Sequence, residues 1–269
     1  MPNHEKANNQ DEAMLPIVRR VSNRLYWALV LLLALLAAAN LFLPQGAFMP
    51  PLPAQALPAP KPVMALAVAG LMLVLYGGLG WLGLLLTRRV GFADLWEPGV
   101  TNRQRLLLPA LVGGATGLFF VLADTLFSCF RSGEPLPHPP FPTSLVASAT
   151  AGIGEEIIFR LFFISFWVWL VSAVLLKGRW QNQVFWIVAV VAALVFALGH
   201  LPSLMFLLGL QQITAIPVAL FGEIILLNGV LSLLAAFYLR NYGFLAAVSV
   251  HFWADVVWHV LWGLVAGLL

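Results

Sequence analysis

Charge and cysteine are both scarce in this chain of 269 residues. Asp, Glu, Lys and Arg together make up 9% of it, whereas a soluble domain carries about 25%. So few charges cannot solvate a globular surface, and an ordinary soluble domain is excluded. The single cysteine, Cys129, rules out an internal disulfide and a cysteine-rich metal site; it reads as a small interfacial residue. A basic, polar, folded face for nucleic acid is also missing. The pI near 9.4 comes from a few Arg and Lys at loops, which serve as an orientation signal. No internal repeat and no domain linker is recognisable within 26–269. The first 20 residues do not read as a cleavable signal peptide. They are polar (Asn3, His4, Glu5, Lys6, Asp11, Glu12), and the apolar run after them is too long and ends without a small-residue cleavage site.

What the chain has in abundance is apolar length. Hydrophobic residues make up 61% and mean hydropathy is +0.94. Several runs reach the roughly 17–25 residues a spanning helix needs. The fold class expected is therefore all-α, a polytopic transmembrane helix bundle. Residues 1–25 read as a polar N-terminal tail, the first 20 of them without order, and 26–269 as one membrane domain. Spans are expected near 26–43, 63–86, 106–127, 144–176 and 184–200, with a last one at 244–269. Gly113, Gly114 and Gly117 in the third would let helices approach closely. Proline-rich loops at 44–62 and 128–143 read as external. Residues 203–243 fit either one span or a tight pair, about 203–220 and 222–240.

Ionisable groups inside these apolar runs carry the functional signal. A charge at the bilayer centre costs roughly 2.5–3.5 kcal/mol even on a lenient scale, so such groups face the bundle interior and serve function. Glu155, Glu156 and Arg160 lie in the fourth span. Glu156 and Arg160 are i and i+4, on one helical face, and can pair. That pair alone reads equally well as a fixture locking two helices, but a fixture does not explain the second carboxylate, Glu155, about 100° round the helix. Gly152 and Gly154 suggest a helix that packs closely or opens locally. His200 ends the fifth span, a turn after Phe196. His251 and Asp255 are i and i+4 on the last span, and His259 extends that face as a bystander. A base to activate water and polar groups to stabilise an oxyanion are the inventory of a hydrolytic site.

The set Glu155-Glu156-x-x-x-Arg160, Phe196-x-x-x-His200 and His251-x-x-x-Asp255, in that order on apolar helices, resembles the three-motif signature of the CPBP (CAAX protease and bacteriocin-processing, or Abi) intramembrane endopeptidases. The type II CAAX prenyl endopeptidase is a member of that family. The resemblance implies peptide-bond hydrolysis within the membrane. Glu155 would be the general base acting with His200 on water, and His251 with Asp255 would line the oxyanion hole. Glu156, Arg160 and Phe196 would support them. The last motif position is often asparagine in the family; Asp255 must then be protonated, orient His251 or help bind a metal.

The expected reaction requires no cofactor. Zinc held by Glu155, His200 and His251 is the alternative. The partners expected are membrane lipid and a hydrophobic or lipid-anchored peptide substrate, with no nucleic acid. For His200 and His251 to meet, an even number of crossings should separate them, which favours about eight spans over seven. Positive residues at 19–24, 88–105 and 177–179 place the N-terminus in the cytoplasm of an inner or plasma membrane, with the site opening outward. An ion-coupled transporter and a non-catalytic scaffold are the rival readings. The first would show an inverted repeat, and none is recognisable.

Overall fold

The computed structural model describes residues 2–46, 59–130 and 136–266, with side-chain surroundings from Pro16 onward. It is 82% helical and has no strand among the described residues. Seven helices are long and apolar enough to cross a membrane. The first helix, α1, runs Pro2–Asn40, its spanning part being Pro16–Asn40. The spans that follow are α2 (Lys61–Arg89), α3 (Arg103–Ser128), α4 (Thr143–Leu175), α5 (Gln181–Leu207), α6 (Val218–Tyr242) and α7 (Phe244–Ala266). The polar segment expected as an unordered tail is thus helical from Pro2 and continuous with the first span. Most of the proline-rich loop expected at 44–62, and residues 131–135 of the second one, lie outside the described residues.

The count among the described residues is seven, and the stretch 203–243 supplies only one crossing. Leu201–Leu207 ends α5, a single turn follows at Ile213–Ala215, and one 25-residue helix begins after Pro217. Proline fixes φ and has no N–H, which suits the position just before a helix. The expected even number of crossings therefore does not occur. His251 is the eighth of the 23 residues of α7, about 10 Å from one end at 1.5 Å per residue. His200 is the twentieth of the 27 residues of α5, about 10 Å from the opposite rim. Both lie inside the apolar slab, each about 10 Å from an opposite rim.

Seven crossings also gather the cations. Arg19, Arg20 and Arg24, Arg88 and Arg89, Arg103 and Arg105, Lys177 and Arg179, and Arg240 all fall at one end of the bundle. Contacts between these segments hold them there: Arg240 Nη1 donates to Asn182 Oδ1 at 2.8 Å, and the Ala93 amide donates to the Arg240 carbonyl at 3.3 Å.

Two helices position the site through close approach. A Cβ on Gly113 would collide with the Val250 carbonyl, and one on Gly117 would lie 2.6 Å from the Ala254 carbonyl. Only glycine lets α3 sit this tightly against α7, at the turns that carry His251 and Asp255. Gly114, on the other side of α3, meets open space.

Candidate active site

Helix α4 is regular to Glu155 and then widens into a π-helical stretch, Glu156–Ile164. Such widenings cluster at functional sites. Glu156 and Arg160 fall within it, both with fully buried side chains, and Arg160 Nε stands 3.3 Å from Glu156 Oε2. The expected pair meets, but Glu156 does more than neutralise the arginine. Its Oε1 accepts a hydrogen bond of 2.7 Å from His251 Nδ1. Arg160 also stacks its guanidinium over the Phe196 ring, 4.5 Å from the centroid.

Helix α5 breaks where its sequence requires it. Pro202 cannot donate to the carbonyl four residues back, and its ring disfavours a continuous helix. Just before it, the His200 amide donates to Ala197 at 3.1 Å instead of to Phe196. The Phe196 carbonyl is therefore left to accept from His200 Nδ1, at 2.8 Å. A carbonyl can only accept, so Nδ1 carries the proton and Nε2 of the neutral imidazole is the lone-pair nitrogen. Phe196 is the hub of the site. Its ring centroid is 4.8 Å from that of His200, 6.0 Å from that of His251 and 5.1 Å from that of Phe159.

His251 is 2% exposed, and its two nitrogens face different groups. Nδ1 is held by Glu156; Nε2 lies 3.6 Å from Glu155 Oε2 and 3.5 Å from Asp255 Oδ2. The latter distances are too long for direct hydrogen bonds but short enough for strong electrostatic coupling. Glu155 retains 35% side-chain exposure, against none for Glu156. The two adjacent carboxylates thus occupy different environments: one is locked between Arg160 and His251, and the other faces open space.

That space is a cavity of about 680 Å³. Glu155, His200, His251, Asp255 and His259 all line it. Gln45, Pro137, Pro202 and Ser203 form its outer part, at the end of the bundle opposite the arginines. Glu156, Arg160 and Phe196 lie behind the wall. Glu155, His200 and His251, the set considered for zinc, share the cavity. Among the described residues, however, no group of three or more His, Cys, Asp or Glu is arranged to hold a metal ion. Both histidines have Nδ1 held by protein partners, which leaves Nε2 of each for a ligand or water.

Two polar groups at or beside the cavity, His138 and Asn228, were not singled out in the sequence. His259, read as a bystander, lines the cavity and meets His138 of the loop before α4, Nδ1 to Nδ1, at 3.1 Å. Burial pushes the His138 imidazole down to about 4, against the opposing pull of the Asp124 carboxylate. Asn228 of α6 lines the cavity itself. The signal for it was present, since an asparagine inside an apolar span faces the interior for a reason. The signal for His138 was not, because a loop residue has no periodicity that aims it.

Residues 137–265 match the family model described as type II CAAX prenyl endopeptidase Rce1-like. No curated protein and no solved structure matches the chain. The matched segment contains Glu155, His200, His251 and Asp255; of the cavity wall, only Gln45, Phe120 and Leu136 lie outside it.

Proposed function

We propose, from the match of residues 137–265 to the Rce1-like family model, that the chain hydrolyses a peptide bond of a membrane-associated or lipid-anchored peptide inside the bilayer. The observation that carries this reading is the convergence of Glu155, His200, His251 and Asp255, from three helices, on one cavity. Water sits between the Glu155 carboxylate and the lone pair of His200 Nε2. Glu155 takes a proton from it as the hydroxyl oxygen bonds to the substrate carbonyl carbon. His251, an imidazolium set among the Glu156, Glu155 and Asp255 carboxylates, donates Nδ1–H to Glu156 and turns Nε2–H towards the developing oxyanion. Asp255 steadies that imidazole from the next turn of α7. The C–N bond then breaks, and Glu155 returns the proton to the leaving amine. A general base positioned this way contributes about 10²–10⁴-fold, and an oxyanion donor about 10²–10³-fold.

Each step is assigned to side chains and water. The arginine-rich end is the cytoplasmic end by the positive-inside bias, which puts the N-terminus in the cytoplasm and the cavity mouth towards the far side. The test is cleavage of a prenylated peptide ending in a CAAX sequence by purified protein in lipid nanodiscs. Glu155→Ala and His200→Ala should each lower kcat at least a hundredfold; wild-type rates in both would overturn the mechanism.

A further inference from the structure

The catalytic groups reach the cavity from α4, α5 and α7, and the face that α6 presents to it is apolar with one exception. Ile224, Leu227, Asn228 and Leu231 line it from this helix. They are spaced i, i+3, i+4 and i+7, a single helical stripe. Asn228 is half-buried, and its Nδ2 donates to the Ile224 carbonyl one turn back at 2.9 Å. That bond uses one of two amide hydrogens. The second N–H and the carboxamide oxygen remain, a donor and an acceptor side by side.

An extended peptide that enters an apolar cavity brings unpaired backbone N–H and C=O groups, each costly to desolvate. The aliphatic side chains of α6 offer them nothing. We propose that Asn228 is the substrate-anchoring residue of this site: its carboxamide pairs with one peptide unit of the bound chain and holds it in the cavity that Glu155 also lines. The proposal rests on the endopeptidase reading and adds a residue and a subsite to it. A carboxamide here selects peptide backbone over lipid, since an acyl chain has no group to satisfy it.

Asn228→Leu keeps the volume and the helix but removes both polar atoms. The experiment uses the full chain in nanodiscs and a series of prenylated CAAX-ending peptides, each with one backbone amide replaced by an ester. Asn228→Leu should raise KM about tenfold with kcat little changed, as expected when a buried polar partner is lost. One ester position should cause the same loss in the wild-type protein, and the two losses should not add, which is the signature of a direct contact. A merely structural role would lower activity equally on every member of the series. Peptide binding measured by fluorescence anisotropy on a Glu155→Ala background separates this inference from the reading beneath it. A tenfold weaker affinity in Glu155→Ala/Asn228→Leu supports the anchor whether or not Glu155 is the base. Unchanged binding and KM in Asn228→Leu, or losses that add at every ester position, would overturn it.

Discussion

Replacing Glu156 with glutamine separates two jobs that the structure gives one carboxylate. Glu156 and Arg160 both have fully buried side chains and stand 3.3 Å apart. An amide keeps the shape and leaves an acceptor for His251 Nδ1, but it removes the negative charge beside a buried guanidinium. What remains for Arg160 is the Phe196 ring at 4.5 Å. A desolvated cation–π contact is worth about 2 kcal/mol, less than the several kcal/mol that burying a cation costs. Breaking a buried pair from one side typically costs about 3–5 kcal/mol. For a chain of this size that corresponds to a fall of about 10 °C in unfolding temperature. The double variant Glu156→Gln/Arg160→Met removes both charges together and should recover most of that loss. It should not recover activity, because His251 has lost the charged acceptor that supports its imidazolium form and orientation. The assay is thermal unfolding in detergent micelles alongside peptide cleavage. The reasoning is refuted if Glu156→Gln is as stable as the wild type, or if the double variant is no more stable than the single one.

Other outcomes follow from the same geometry. Gly113→Leu should prevent α3 from seating against α7 and abolish both folding yield and cleavage, whereas Gly114→Leu should be tolerated; size-exclusion profiles of the two variants distinguish them. His138 stays neutral in the fold down to about pH 4, while the unfolded chain takes up a proton near 6.5. Its contribution to stability is thus present above about pH 6.5 and is lost progressively as pH falls towards 4. Unfolding curves of the wild type and His138→Gln should therefore converge between neutral pH and pH 4, and parallel curves would contradict the assignment. A topology reporter inserted in the loop at 128–143 should report the non-cytoplasmic side and one at 177–180 the cytoplasmic side; the reverse pattern would turn the bundle over.

Membrane spans were legible in the sequence because they depend on local composition. A run of apolar residues long enough to cross a bilayer is visible without knowing its neighbours. The pairing of Glu156 with Arg160 was legible for the same reason, since i and i+4 share a face whatever surrounds them. The number of crossings between His200 and His251 was not. The expectation counted the depth of both residues from a single rim, whereas they lie near opposite rims and meet by the way α5 and α7 pack. The short helix Leu201–Leu207 and the turn at Ile213–Ala215 also carry enough apolar residues to resemble a span. Arg240 was the contrary signal: with one crossing it joins the other cations, and with two it would not.

The chain by itself therefore determined the class, the apolar helices and the inventory of acids and histidines within them, because each is a property of a few adjacent residues. Tertiary structure decided how those groups divide the work. Glu155 is open and Glu156 locked because α7 brings His251 Nδ1 to one carboxylate and leaves the other facing the cavity. His200 presents Nε2 because the break before Pro202 frees a carbonyl for Nδ1. Asn228 and His259 reach the cavity because α6 and α7 are rotated to place them there. None of these is a local property: each depends on which helix packs against which face, and that is set by close contacts such as Gly113 against Val250, far apart in the chain.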